Sequence, residues 1–353
     1  MKLRSALVLV VLGAAALVAG WYFGTGPAGQ QRREVAAGTP VFPDLPQRIE
    51  QAVKVEIVSG KSTLTMVQQD GTWVLPERGS YPVDQGKLRE LLIGLTQLGR
   101  IEARTADPAQ YARLGVGDPQ GADATAKLVR VLDPANHPLA ELIVGHSHVQ
   151  TRGDGPESVY VRVPGQAQAW LAQGRLPAEA DPLSWLPREI ANIPAERVAS
   201  VTSTRGEQRL EFTRGQDGMS LTAPADHPKL DQFKLDDVAR ALENLTLTDV
   251  KPAAQVPGAA LGEAALKTTD GLVVNARLYR DGANLWLVLA ASGDGAAKEQ
   301  AAALQARVAG WAFEVGSFKE QAFLPTLDDL KADAPPAPAA GPSAPAPAPT
   351  PAQ

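Results

Sequence analysis

The residues that come closest to a chemical motif lie at 145–149, which read Gly-His-Ser-His-Val. The spacing matches the Gly-x-Ser-x-Gly turn of serine hydrolases, except that a valine replaces the second glycine, where the sharp turn disfavours a Cβ. His146 and His148 would share one strand face and could bind a metal if a third ligand such as Asp154 or His137 converged. Two histidines at a strand end are more often exposed polar residues, so we predict neither a hydrolase site nor a metal site here.

Two glycine-containing stretches imitate nucleotide-binding loops. Residues 24–29 have the Gly-x-Gly-x-x-Gly spacing of a dinucleotide-binding loop. That loop needs a strand before it and a helix after it, whereas an apolar span precedes these residues and no helical pattern follows. Residues 60–62 (Gly-Lys-Ser) resemble the end of a phosphate-binding loop, but the upstream glycine position is Val55, inside an expected strand. We therefore predict a turn at Gly60 and no cofactor.

Two pairs of adjacent carboxylates, Asp236-Asp237 and Asp328-Asp329, have the residue type needed for acid–base catalysis. Neighbouring side chains on a helix point about 100° apart, so neither pair forms a shared acid–base dyad, and we expect helix caps or solvated faces. The tryptophans are dispersed through expected elements, which favours packing over a base-stacking platform. A glycosylation sequon at Asn244 lies on an expected core helix. The sequence thus contains no convincing catalytic constellation, and we predict that the protein is not an enzyme.

The composition excludes several classes of protein. The chain has 353 residues, which allows about two domains, and 44% of them are hydrophobic, enough for folded cores. It has no cysteine, which excludes disulfide frameworks, thiol nucleophiles, iron–sulfur clusters and cysteine-bound zinc. Its 34 basic and 39 acidic residues give a net charge of -5. General nucleic-acid binders need a concentrated positive field, so we expect no nucleic-acid partner.

The N-terminal residues 1–24 have the pattern of a transmembrane anchor. Lys2 and Arg4 precede an uncharged run that continues to Phe23. About 20 such residues cross a hydrocarbon core of about 30 Å, and the basic flank keeps the N-terminus in the cytoplasm. A cleaved signal peptide is the alternative, with Val18 in one of the small-residue positions of the cleavage site. In both interpretations the body of the protein is exported.

The segments next to the two ends have no core pattern. Residues 25–50 contain glycine, proline and glutamine without a sustained period, which predicts a tether. Residues 331–353 carry eight prolines among alanines. Such a segment is expected to be disordered and extended, partly as polyproline II. Because no aromatic or basic residue accompanies the prolines, a spacer is favoured over a ligand for a protein groove.

Between these ends, the same order of predicted elements occurs twice. From Val53, short strands with alternating apolar side chains lead through an Asp-Gly turn at 70–71 to a leucine-rich helix capped by Asp84. The succession returns from Val198, with an Asp-Gly turn at 217–218 and a helical pattern that continues to residue 245. Gly60 and Gly206 fall in matching turns. Shared strand patterns, turns and helix spacing indicate an internal duplication.

Each helix is followed by a second group of predicted strands. In the first copy this group ends in a short helix at 166–172, and in the second a helix is predicted at 298–308. Short strands with few, separated helices indicate an α+β fold rather than a doubly wound parallel sheet. We therefore predict an internally duplicated module of short antiparallel strands and a few packed helices after one transmembrane helix. Its halves are expected at 51–192 and 193–330.

Short motifs recur in this chain in the order that a known family shows. They are Trp73 after an Asp-Gly turn, Tyr111-Ala-Arg-Leu-Gly with Asp118-Pro119, Leu142-Ile-Val-Gly145, Val159-Tyr-Val161, Trp185-Leu186, Trp311-Ala-Phe313 and Leu327-Asp-Asp-Leu330. In this the chain resembles the bacterial domain of unknown function 4340 over roughly residues 50–330. The resemblance implies a single-span envelope protein, and many members are encoded beside ABC-transporter components of the gliding-motility auxiliary type. The family has no established catalytic residues, so none is assigned.

Together these observations lead to one expected function and one alternative. We expect a membrane-anchored, extracytoplasmic, non-enzymatic interaction protein of the bacterial inner membrane, single-pass, with a periplasmic body. Its expected partners are the bilayer, through residues 1–24, and subunits of an ABC-type transport complex. The alternative is a periplasmic ligand-binding or envelope-sensing module with a cleft between the two halves. No catalytic, cofactor-binding or metal-ligating residue is predicted.

Overall fold

The computed structural model describes residues 38–121, 124–148 and 157–332. The anchor predicted at 1–24, residues 25–37 of the predicted tether and the tail from residue 333 onward lie outside the described residues. Within the described ranges, no helix combines the length and apolarity needed to span a bilayer.

The chain divides into two compact units, the first ending at Leu186 and the second beginning at Pro187. Residues 187–192, expected in the first half, belong to the second unit, because strand β11 (Glu189–Ala191) pairs there with β15 (Leu245–Thr246). Both units consist mostly of antiparallel sheet with a few helices, which confirms the α+β class.

The first unit contains a ten-stranded antiparallel sheet in the order β1-β6-β10-β9-β8-β7-β2-β3-β4-β5. Its strands are β1 (Thr39–Pro40), β2 (Lys54–Ser59), β3 (Ser62–Gln69), β4 (Thr72–Leu75), β5 (Tyr81–Pro82), β6 (Gly99–Thr105), β7 (Lys127–Leu132), β8 (Pro138–His148), β9 (Ser158–Arg162) and β10 (Ala169–Gln173). The helices in the described part of this unit are α1 (Leu45–Arg48), α2 (Gln85–Gln97) and α3 (Tyr111–Leu114), accompanied by short 3-10 turns.

Helix α2 forms where the leucine spacing predicts it. The Asp84 carboxylate accepts hydrogen bonds from the N–H groups of the second and third helical residues, which confirms the predicted cap. Leu88, Leu91 and Leu95 are buried along one face, three to four residues apart. Leu98, also buried, has extended backbone and ends the helix. Burying such a side chain stabilises the fold by roughly 1.5–3 kcal/mol.

The described part of the predicted tether belongs to the first unit. Strand β1 pairs with β6 at the edge of the sheet. Leu45 on α1 is 2% exposed, and Val41 is also buried. These apolar residues stand singly among prolines and polar residues and form no periodic pattern, so the sequence does not predict that they are buried. Residues 39–50 are therefore part of the fold rather than a tether.

The second unit contains an eight-stranded antiparallel sheet in the order β14-β13-β12-β17-β18-β19-β20-β16, besides the β11-β15 pair. Its further strands are β12 (Val198–Arg205), β13 (Gln208–Gly215), β14 (Gly218–Ala223), β16 (Asp249–Pro252), β17 (Ala259–Thr268), β18 (Leu272–Asp281), β19 (Asn284–Gly293) and β20 (Trp311–Val315). The helices described there are α4 (Gln232–Ala239), α5 (Lys298–Val308), α6 (Lys319–Phe323) and α7 (Leu327–Leu330). Helix α5 has the predicted bounds.

Two helix predictions are wrong. Residues 166–172, predicted to be helical, contain strand β10, which pairs with β6 on one side and β9 on the other. Its Ala-Trp-Leu-Ala-Gln sequence is compatible with a helix, but pairing along both edges overrides local preference. Helix α4 ends at Ala239 instead of continuing to Leu245, which lies in β15. Asn244, expected on a core helix, has a φ of 48° in the intervening turn.

The two large sheets share one strand order. The first unit contains β4-β3-β2-β7-β8-β9-β10-β6 and the second β14-β13-β12-β17-β18-β19-β20-β16, so corresponding strands differ in number by ten. Gly60 and Gly206 lie in the corresponding turns with the same φ of 59°, a left-handed conformation that favours glycine. A duplicated module requires this repeated order.

Candidate functional site

A four-residue motif, Asp-Gln-x-Lys, begins helix α2 at 84–87 and helix α4 at 231–234. In both copies the aspartate accepts hydrogen bonds from the N–H groups of the first helical turn. In both, the glutamine Nε2 donates to a carbonyl of the preceding strand, to Trp73 O at 3.1 Å and to Met219 O at 3.0 Å. The motif therefore attaches each helix to β4 or β14.

The lysine of the motif attaches the helix to the segment that closes each unit. Lys87 Nζ donates to Ser184 O, and Lys234 Nζ donates to Lys331 O, both at 2.8 Å. The backbone N–H of the capping aspartate also donates to this closing segment, at 2.7 Å in the first unit and 2.9 Å in the second. Each unit thus has a groove at an equivalent place, between the start of this helix and the chain that leads to the closing segment.

In the first unit this place is a cleft of about 800 Å³, called here the first-unit cleft. Its walls are the first turns of α2, the adjoining ends of β8 and β9, and residues 174–179. Polar and charged side chains predominate among those that line it, and they include Lys87, Glu90, Lys127, Ser147, His148, Glu157, Arg175 and Glu179. The cleft is therefore a polar surface.

Lys87 is the most strongly held charge of the first-unit cleft. Its Nζ lies 3.0 Å from Glu179 Oε2 and 4.8 Å from the ring centre of Trp185. Partial burial raises the pKa of Glu179, but the hydrogen bond and charge of Lys87 outweigh this, and the net effect lowers that pKa. Glu179 is therefore ionised at neutral pH and paired with Lys87.

Arg175 joins the two walls of the same cleft. Its Nε lies 3.3 Å from Glu90 Oε1 on α2 and 3.8 Å from Glu157 Oε2 before β9. The side chain of Arg175 is 69% exposed, so water screens these pairs and each contributes about 0–1 kcal/mol. The charges of the cleft thus pair mostly with one another.

The two histidines of the 145–149 stretch lie on a bulged strand. The pairing of β8 with β9 shifts by one residue between Val144 and Ser147. His146 packs against Gly115, where an added Cβ would lie 2.9 Å from the imidazole ring. His148 lines the first-unit cleft, and its ring centre is 5.9 Å from that of Tyr160. Ser147 makes no hydrogen bond to either histidine in the described part of the chain.

Of the third metal ligands that the sequence offers, His137 lies far from these histidines. His137 precedes the opposite end of β8, which at about 3.3 Å per residue places it about 35 Å from His148, and its Nδ1 lies 3.6 Å from Asp133. Asp154 lies outside the described residues. Across the described ranges, no group of three or more histidine, aspartate or glutamate side chains could hold a metal ion.

The acidic pairs support local structure. Asp236 accepts a hydrogen bond from Met219 N at 2.9 Å, which ties α4 to β14. Asp329 and Thr326 form a reciprocal capping box at the start of α7. Asp328 pairs with the lysine three residues later, whose hydrogen bond lowers the pKa of this exposed carboxyl group. Asp328 and Asp329 thus fit the expected caps and solvated faces, whereas Asp236 joins two elements.

In the second unit, the groove beside Lys234 has a volume of about 250 Å³ and is called here the second-unit groove. Its lining combines charged side chains with an exposed phenyl ring, which the described lining of the first-unit cleft lacks. Phe318 lines it with 75% of its surface exposed. Phe233, on the first turn of α4, is 83% exposed but is not one of the lining residues. The other lining residues of the groove include Asp237, Arg240, Gln321, Ala322, Pro325 and Leu330.

The floor of this groove contains a buried lysine with a structural role. Lys319 Nζ donates to the carbonyl oxygens of Arg240, Ala241 and Glu243 at 3.2, 3.2 and 2.8 Å. These carbonyls follow the C-terminus of α4, where the helical hydrogen bonds have ended, and the ammonium group supplies each of them with a donor. Burial lowers the pKa of Lys319, although the charges of Glu243 and Asp237 oppose the shift.

A family model described as Domain of unknown function (DUF4340) matches residues 73–263, more than half of the chain. The chain belongs to this family. The match runs from β4 of the first unit into β17 of the second, so it includes both Asp-Gln-x-Lys motifs. No curated protein matches the chain.

In this DUF4340 protein, the contacts that the two units share come from the Asp-Gln-x-Lys motif. The motif is present in the sequence, but hydrophobic periodicity does not reveal it. Asp-Gln-x-Lys occurs at the same place in both predicted repeats, at 84–87 and 231–234. Aligning the two repeats residue by residue would reveal it. The two grooves have no such signal, because their walls come from segments about 90 residues apart in sequence, such as α2 and 174–179.

Proposed function

We propose that this DUF4340 protein is a membrane-anchored, extracytoplasmic, non-enzymatic interaction protein, accessory to an ABC-type transport complex. Residues 1–24, with two basic residues before a long uncharged run, support the anchor and a periplasmic body. The family resemblance is what suggests a transporter as partner, through the gene neighbours typical of its members. The shared strand order and the repeated motif support an internally duplicated module.

The observation that carries the interaction role is the state of the charges in the first-unit cleft. A general acid or base needs a titratable group directed at a substrate, but Lys87 and Glu179 are directed at each other. Arg175 likewise bridges two carboxylates of the cleft. A concave surface of fixed, alternating charge suits a polar surface of a partner protein, because complementary charges set specificity and association rate.

Co-purification from solubilised membranes tests this proposal with the full-length protein. The wild type is expected to recover transporter subunits, and Arg175→Glu is expected to reduce their recovery several-fold. Arg277→Glu is the matched control, since Arg277 is 65% exposed and also forms an ion pair, at 2.8 Å from Glu263 in the second unit. If the wild type recovers no transporter subunit, the proposed partner is wrong. If both variants reduce recovery equally, the first-unit cleft is not the docking surface.

One observation favours the alternative, a periplasmic ligand-binding or envelope-sensing module. The cleft volume of about 800 Å³ lies within the roughly 300–1,000 Å³ typical of small-molecule sites. This cleft lies within the first unit. Native mass spectrometry of the purified protein tests the alternative: a bound polar molecule that Arg175→Glu releases would support it, and an unliganded mass would contradict it.

A further inference from the structure

The second-unit groove begins where the described chain ends. Leu230 pairs with Lys331, and Ala332 N donates to Lys229 O at 3.1 Å. Leu330, one residue before this pairing, lines the groove itself. The described chain therefore ends at the edge of the groove, beside Leu230, which lies two residues before α4 and its exposed Phe233.

The chain from 333 to 353 has a chemistry that this groove can accept. It consists mainly of proline and alanine, with Asp333 as its one charged side chain and no aromatic residue. Proline has no N–H, so such a chain presents mainly carbonyl acceptors and flat pyrrolidine rings in a polyproline II helix. Proline-rich segments bind grooves in which aromatic side chains face solvent. A flanking aromatic residue is unnecessary when the groove supplies one.

The groove offers the matching groups. The Phe318 ring is 75% exposed and can stack against proline rings. The half-exposed Arg240 guanidinium and the Gln321 amide line the same groove and can donate to carbonyls of a chain that crosses it. The charged residues of the lining, Lys234, Asp237, Arg240, Lys319 and Asp329, are of mixed sign and nearly balance, which suits a nearly neutral chain.

We propose that residues 333–353 fold back into the second-unit groove, with their prolines against Phe318. The attachment at Ala332 makes this binding intramolecular. A short flexible connection gives an effective concentration of about 1 mM, so even a dissociation constant of about 100 μM would keep the groove about nine-tenths occupied. The proposal concerns the protein's own tail and does not depend on the transporter role.

Hydrogen–deuterium exchange in the full-length protein tests it. The amides at 319–324 are compared in the wild type, in Phe318→Ala, in a chain whose eight tail prolines are replaced by glycine, and in the combination. Each single change is expected to speed exchange about tenfold through loss of the docked state, and the combination is expected to add nothing further. Ile101→Ala, which truncates a half-exposed side chain in the first unit, is the control and should leave these amides unchanged.

Three results would overturn the proposal. The first is an unchanged exchange rate in the proline-to-glycine chain. The second is a combined effect equal to the product of the single effects, which would mean that Phe318→Ala only loosens its own helix. The third is a failure of a synthetic 333–353 peptide, at millimolar concentration, to restore protection to the proline-to-glycine chain. Protection by phosphatidylglycerol vesicles without protection by the peptide would equally contradict it, by assigning the groove to lipid.

Discussion

Replacing Lys87 by methionine measures how much the lysine of the Asp-Gln-x-Lys motif stabilises the first unit. Methionine has nearly the same length and helix propensity, so α2 itself should be little affected. The change removes the donor to Ser184 O at 2.8 Å, the ion pair with Glu179 at 3.0 Å, and the cation above the Trp185 ring at 4.8 Å. The matched variant, Lys234→Met, removes the corresponding hydrogen bond to Lys331 O in the second unit.

The expected loss of stability follows from these contacts. A hydrogen bond from a charged donor contributes about 1.5–3 kcal/mol, a cation–π contact about 0.5–1 and a half-exposed ion pair about 0–1. The contributions share one ammonium group and are not additive, and the methionine keeps the aliphatic contacts of the stem. With the Lys87 side chain 23% exposed, we expect Lys87→Met to lower the free energy of unfolding by about 2 kcal/mol. Lys234→Met, at an exposed hydrogen bond, should cost about 1 kcal/mol.

Urea unfolding followed by tryptophan fluorescence measures both variants, because Trp185 is buried in the first unit and Trp286 in the second. At about 2–4 °C per kcal/mol for a unit of this size, the thermal midpoint of Lys87→Met should fall by about 4–8 °C. A loss below about 0.5 kcal/mol would refute the claim that Lys87 holds the closing segment. An equal loss in both variants would show that the Glu179 and Trp185 contacts add nothing.

Three further predictions concern caps, close packing and pH. Asp84→Ala and Asp231→Ala should each cost about 1 kcal/mol in urea unfolding, since each removes a helix cap. Gly145→Ala should cost several kcal/mol, because its Cβ would lie 2.2 Å from a carbonyl oxygen of α3, whereas Gly117→Ala, with open space around it, should be neutral. Glu179→Gln should make the stability less sensitive to acid. The pKa of Glu179 is lower in the folded than in the unfolded protein, so Glu179 stabilises the fold above the unfolded pKa of 4.5, and this contribution is lost as the pH falls through the folded pKa.

Each of these three has an outcome that contradicts it. A neutral effect of both aspartate variants would mean that the motif's cap is not needed once the helix is packed. Equal stability of Gly145→Ala and Gly117→Ala would show that β8 can move away from α3. Wild type and Glu179→Gln that lose stability in parallel between pH 5 and 3 would mean that Glu179 is not preferentially ionised in the folded state.

The sequence predicts the elements that carry their own local signal. Helix α2 is recognised because a capping aspartate precedes leucines at helical spacing, and α5 has the predicted bounds. Strand β17 was not predicted, since its alanines, glycine, glutamate and lysine have low strand propensity; it forms because β12 and β18 pair with its two edges. Strand β10 was predicted as a helix for the same reason. Partners distant in sequence decide these segments.

The candidate sites could be predicted only in part. The 145–149 stretch draws attention through its histidines, and His148 does line the first-unit cleft. A bulge in β8 and the path of residues 174–179 decide which side chains face His148 in the cleft, and neither has a sequence pattern. Exposure is equally hidden: the sequence around Phe318 does not distinguish a core phenylalanine from one on the surface.

The second face of the first sheet shows what has changed between the repeats. Val58 pairs with Leu128, which pairs with Ile143, and the side chains of this row point away from the buried row that contains Ile57. Tyr111 packs over the row, in one cluster with Leu128 and Ile143. It comes from the long connection between β6 and β7, which includes α3. The row is apolar because that connection covers it.

In the second unit the same row is Thr204, Glu263 and Arg277, in the same pairing order. The connection from β16 to β17 is short, and Arg277 and Glu263 form an exposed ion pair instead. A covered row is apolar and an open one polar, so this difference follows from folding and indicates no binding. This relation between cover and polarity does not explain the exposed Phe318, because an open surface does not favour a phenyl ring. Folding alone therefore does not account for the phenyl ring at the second-unit groove, whereas an occupant that covers the ring would.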